Sequence, residues 1–136
     1  MSKSVDVDAI KRLLDGSNYH GWWGVEEVEK YIRTPMMLDQ YIVLRDENDQ
    51  PAVFATWGFP NYRHIVHYTE ELEFPVSGYD GGGALPWLID FIAPGGKRNI
   101  ALGFRKMKSV LSNKGYNKAF WLRTETQKLG FHEWGN

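Results

Sequence analysis

The sequence has no cysteine, and that one absence removes disulfides, thiolate metal ligands and a cysteine nucleophile together. No apolar run is long enough to span a bilayer. The opening Met1-Ser2-Lys3-Ser4 leads into charged residues rather than into the apolar core of a signal peptide. A cytoplasmic protein without a membrane span is therefore expected. Acidic residues are also missing from a long stretch: between Phe91 and Thr124 there is no Asp or Glu. Lys97, Arg98, Arg105, Lys106, Lys108, Lys114, Lys118 and Arg123 all fall there. The net charge of -1 thus conceals one basic segment, which suits either an anionic partner or a solvated helix face.

What is present is globular. Hydrophobic residues at 43% and charged residues at 24% exclude a disordered chain. The 136 residues fit a single domain, 1–136. Aromatic residues reach 15%, with six Trp, enough to fill a core or to line a pocket for a long apolar group.

Periodicity predicts helices over Val5–Asp15, Val25–Arg33 and a clearer one carrying Ile100, Phe104, Met107 and Leu111 on one face, ending near Asn113. Strands are predicted over Gln40–Arg45 and Ala52–Phe59, joined by the polar turn 46–50, and over Trp87–Ala93, Asn117–Arg123 and Lys128–Trp134. Residues 60–72 fit a helix or a strand, and the Gly-rich stretch 74–84 reads as a loop. The expected class is α+β: one domain with a mixed, mostly antiparallel sheet flanked by helices.

Asp90 is the most informative residue. It interrupts Trp87-Leu88-Ile89-Asp90-Phe91-Ile92-Ala93, which otherwise reads as a strand buried on both faces. A carboxylate there is costly unless it is paired or hydrogen-bonded; it therefore has a chemical role or bonds to nearby backbone. His20, in the turn-rich loop Ser17–Trp23, could be its partner, since imidazole exchanges a proton near neutral pH and a carboxylate fixes its tautomer. His64, His67 and His132 compete for that role. His64 and His67 could lie one turn apart, yet no third metal ligand is evident nearby, so no metal site is expected. Pro94-Gly95-Gly96-Lys97-Arg98 has the shape of an anion-binding turn at a helix start, although an ordinary strand-to-helix turn has the same composition.

These segments resemble the RTX-toxin-activating lysine acyltransferases. Trp87–Pro94 is similar to the block of aromatic, apolar pair, Asp, aromatic and Ile-Ala-Pro that marks that family. Ser17-Asn18-Tyr19-His20-Gly21-Trp22 is similar to the segment around its catalytic His. Gln40-Tyr41 and Pro51–Trp57 resemble its strand pair, and Ser77-Gly78 precedes the Asp block as it does there. The resemblance covers roughly residues 8–134. It implies a fold like the GNAT acetyltransferases and transfer of a fatty acyl group from acyl carrier protein to an internal lysine of a target protein, an RTX-type protoxin.

The resemblance assigns the catalytic pair to His20 and Asp90. Gly95, Gly96, Lys97, Arg98 and Arg105 are the expected contacts for the acyl carrier protein, whose phosphopantetheine thioester is a co-substrate, with no bound cofactor. A homodimer is compatible with the resemblance. Two departures are expected to matter for partners: the chain stops at Asn136, where family members usually continue, and Gly81-Gly82-Gly83 looks like extra loop. The alternative reading is a catalytically degenerate relative that binds an anionic partner such as nucleic acid, ranked second because it leaves the His–Asp pair unexplained.

Overall fold

In the computed structural model, residues 3–16, 23–123, 126 and 128–135 are described. The first helix, α1 (Lys3–Leu14), buries Val7, Ile10 and Leu14 on one stripe. The second helical segment runs further than its sequence suggests. It comprises α2 (Val25–Val28), a π-helical turn (Glu29–Arg33) and α3 (Thr34–Met37), with no break at Pro35. Proline lacks the amide that an α-helix interior requires. Here Pro35 falls in the first turn of α3, just after a wider turn in which both the Thr34 amide and the Thr34 hydroxyl donate to the Glu29 carbonyl.

The strands β1 (Tyr41–Arg45) and β2 (Pro51–Gly58) form the expected antiparallel hairpin. The Asp46 carboxylate closes its turn by accepting the amides of Asn48 and Gln50. The ambiguous stretch after β2 is helix α4 (Tyr62–Glu71). The choice is made at Asn61, whose side chain accepts the His64 amide while His64 Nδ1 accepts the Asn61 amide, a reciprocal cap. The Gly-rich stretch contains a 3₁₀ turn (Val76–Asp80). Then come β3 (Trp87–Ile92), α5 (Lys97–Asn113), β4 (Lys118–Arg123) and β5 (Lys128–Glu133).

The five strands lie in the order β1-β2-β3-β4-β5, antiparallel except for the β3–β4 pair. This is the α+β arrangement with a mostly antiparallel sheet. One face packs on α5, where Met107 and Leu111 meet Ile42, Val53, Ala55, Trp57 and Leu88. Gly103 lets α5 approach closely, because a Cβ there would come 2.6 Å from Phe91 and 2.8 Å from Val53. The other face packs on α1, the π turn and α3 around Phe54 and Ile92. Below α4 the same face is filled by Tyr68, Phe74, Tyr79, Trp87 and Leu122. No helix among the described residues is long and apolar enough to cross a membrane.

Candidate active site

Two irregularities in the sheet create the site. The first is a β-bulge in β3. Ala55 pairs with Phe91 and Trp57 with Leu88, so both Ile89 and Asp90 face the single residue Thr56. A bulge of this kind re-aims a side chain and locally ends regular pairing. Leu88 and Phe91 both pack on the α5 face, whereas Ile92 belongs to the opposite core. Strict alternation would have put Asp90 with Leu88. The extra residue turns it instead toward Tyr31 and Tyr79, whose phenols feel its charge. The expectation of a strand buried on both faces is therefore modified: Ile89, Asp90 and Phe91 are half-buried, because they border a cleft.

The second irregularity is the parallel seam. The strands β3 and β4 pair only at Trp87–Phe120 and Leu88–Trp121. Past those positions they part, and a cleft of about 1070 Å³ lies along the gap, at the top of the range for small-molecule sites. Leu88, Ile89, Phe91, Ile100, Phe104 and Trp121 supply apolar wall. Asp90 lies among them. Glu26, Glu27, Lys30, Glu71 and Glu73 border one side, and Arg123 follows Trp121 and Leu122 from β4.

Charge on that border is organised by local bonds. Lys30 pairs with Glu26 at 2.8 Å, and the Glu27 carboxylate accepts the Gly24 amide at 2.8 Å, capping α2. The Tyr31 hydroxyl donates to the Phe74 carbonyl at 3.1 Å. Burial first, then the charges of Glu73 and Asp90, push this phenol up to about 12, so it stays a neutral donor.

The structure distributes the expected site residues unevenly. Asp90 is in the cleft. His20 lies outside the described residues, but Gly16 and Trp23, the described neighbours on either side of 17–22, both line the cleft. Pro94 lines it as well. Gly95, Gly96, Lys97 and Arg98 follow as exposed residues at the start of α5, and Arg105 is exposed further along the same helix. Gly96 has φ of +101° at the N-cap, and its amide donates to the Ala93 carbonyl. His64 is committed elsewhere, with Nδ1 on the Asn61 amide and Nε2 3.0 Å from Ser77 Oγ. Among the described residues no three His, Asp or Glu side chains converge in a metal-binding group.

Sequence reasoning passed over Tyr31, Glu73 and Trp121 as cleft residues, and took Arg123 only as part of a basic run. The signal for Trp121 and Arg123 is the parting of β3 from β4, a property of two strands together, whereas Tyr31 and Glu73 reach the cleft from the π turn and from just past the end of α4.

Comparisons with known proteins identify the family. The model of the RTX toxin acyltransferase family matches residues 7–134. The RTX-III toxin-activating lysine-acyltransferase ApxIIC of Actinobacillus pleuropneumoniae is 31% identical over 100 residues, covering 73% of this chain and 57% of that protein. The chain thus spans little more than half the length of that relative. With the family match extending over nearly all of its residues, the chain belongs to the RTX toxin acyltransferase family.

Proposed function

We propose that the chain is a protein-lysine acyltransferase, moving a fatty acyl group from acyl carrier protein to an internal lysine of a target protein, an RTX-type protoxin. The observation that carries this reading is the cleft: apolar along the parted strands, with Asp90 in its lining together with Gly16 and Trp23. Its walls suit an acyl chain. The curated name of the relative, a toxin-activating lysine-acyltransferase, supports the choice of acceptor.

An unperturbed lysine has a pKa of about 10.4 and is mostly protonated at neutral pH. In the simplest route the ammonium first loses one proton to solvent, and His20 takes a second from the nitrogen as the neutral amine attacks the thioester carbonyl. The C–N bond forms, the C–S bond breaks, and the proton passes to the departing thiolate. Asp90 orients the ring and supports the imidazolium. In the alternative, His20 attacks the thioester first and carries the acyl group.

The carrier's phosphopantetheine phosphate would lie at the start of α5. The first-turn amides there are free of helical partners, and Gly95, Gly96, Lys97 and Arg98 surround them. Arg105 and its basic neighbours face the acidic carrier protein itself. Because the Gly96 amide is spent on Ala93, it is not the donor for the developing oxyanion.

The test is intact-mass analysis after incubation with acyl carrier protein bearing a fatty acyl thioester, with and without a lysine-containing protoxin fragment. The expected result is one acyl mass gained by the fragment. No gain on any fragment, together with tight binding of single-stranded DNA and none of the carrier, would replace this reading by the anion-binding one.

A further inference from the structure

Two buried polar groups beneath the sheet have no part in the transfer chemistry as described, and both converge on Asp90. Among the described residues the buried polar side chains are Gln40 and Thr56. Gln40 is accounted for: its Nε2 donates to the carbonyls of Trp57 and Tyr79, both at 2.9 Å. Thr56 is 0% exposed and stands opposite the bulge. A bulge leaves an amide without its regular ladder partner, and here the Asp90 amide donates to Thr56 Oγ1 at 3.3 Å.

Tyr79 is the second group. It is 0% exposed, and its hydroxyl has no hydrogen bond. The rest of the residue is anchored. Its backbone carbonyl is held by Gln40 Nε2 and by the Phe59 amide, and its edge packs on Phe74 with centroids 4.9 Å apart. The phenol is raised well above its ordinary value, by burial first and then by the charge of Asp90, while the Thr56 hydroxyl opposes the rise. It therefore lies close to both residues without a bond of good geometry to either. Unsatisfied buried hydroxyls are uncommon in native proteins, and phenylalanine would fill the same space without one.

We infer that Thr56 and Tyr79 are positioning residues for Asp90, with Thr56 holding the bulge through the Asp90 amide and the Tyr79 hydroxyl bracing Thr56. A threonine oxygen has two acceptor sites. One takes the Asp90 amide, and the other is open to Tyr79. The brace fixes the direction in which the carboxylate meets the ring it supports. As a statement about catalysis, the inference rests on the acyl-transfer reading; as a statement about the bulge, it does not.

The experiment compares Thr56→Val, Thr56→Ser, Tyr79→Phe and the Val/Phe double variant by transfer kinetics, thermal melts and hydrogen exchange at the Asp90 amide. Thr56→Val is expected to lower kcat by about tenfold or more, as loss of an orienting partner typically does, with KM for the carrier little changed. Its Asp90 amide should exchange faster, and Thr56→Ser should restore both readouts. Tyr79→Phe should lower kcat without lowering the melting temperature. The double variant should be no worse than the more damaged single one, the mark of residues acting as a unit.

Wild-type kcat and unchanged Asp90 exchange in folded Thr56→Val and Tyr79→Phe would overturn the inference. The exchange arm needs no substrate. A wild-type protein that transfers nothing, yet loses Asp90 protection on Thr56→Val, would sink the acyl-transfer reading and leave the brace standing.

Discussion

Substituting Asp90 by Asn keeps the size of the side chain and removes the charge that would support a protonated imidazole. Transfer is expected to fall by roughly 10²–10⁴-fold, the usual contribution of a positioned acid or base, with a melt close to wild type because Asp90 is half-buried at a cleft edge. His20→Ala should abolish transfer in a protein that still melts cooperatively; a folded variant with wild-type activity would end the assignment. Tyr31 gives a different prediction, in pH. Its folded pKa of about 12 exceeds the unfolded value of about 10. The stability tied to it is therefore complete below about pH 10 and lost as pH rises toward about 12. Tyr79 acts in the same direction. Melting temperature should fall across that window, and Tyr31→Phe should make the fall shallower. Asp90 was legible in the sequence because a lone charge broke an apolar run. Thr56 and Tyr79 were not, since threonine is an ordinary strand residue and a tyrosine in a Gly-rich stretch reads as loop.

At the scale of elements, the closest fit is between α5 and the sheet. Gly103→Ala puts a methyl group against Phe91 and Val53. The strain should cost about 1–3 kcal/mol, read as a lower urea midpoint with an unchanged slope. Helix α4 depends on its cap, and Asn61→Ala, which removes the acceptor for the His64 amide, should cost about 1 kcal/mol. Helix and strand existence was legible from periodicity nearly throughout. The exceptions share a cause. Helix α3 opens on a Thr-Pro pair that ordinarily stops a helix, yet it continues from a π turn in which the Thr34 amide reaches back five residues to Glu29. Residues 60–72 fit two periods, and the decision fell to one reciprocal cap. The bulge in β3 is a mismatch between two strands, which neither strand encodes alone.

Across the whole molecule, charge is sorted by position. Acidic residues border the cleft on the α2 and α4 side, while the exposed side of α5 carries Lys97, Arg98, Arg105 and Lys106. If the basic side docks an acidic carrier, Arg105→Glu should slow association at low salt and matter less as salt shortens the Debye length toward about 8 Å near physiological strength; stopped-flow association rates across a salt series would show it. The sheet itself is sorted too. Strands β1, β2 and β3 are hydrogen-bonded along their length, whereas β4 pairs with β3 only over the short run at Trp87–Phe120 and Leu88–Trp121 and is held otherwise by packing of Ala119 and Leu122. Strand β5 is an edge with Leu129 and Phe131 exposed. The line along which the sheet is least stitched is therefore the floor of the cleft. In mechanical terms the site is a stiff joint: β4 is stitched to β3 at two residue pairs, but Ala119 and Leu122 anchor it in the packed cores, so any change in the width available to a ligand loads that packing. Amides of that hairpin should exchange together, ahead of those in β2, and a ligand filling the gap should slow both strands at once, like a wedge that locks a hinge by occupying it.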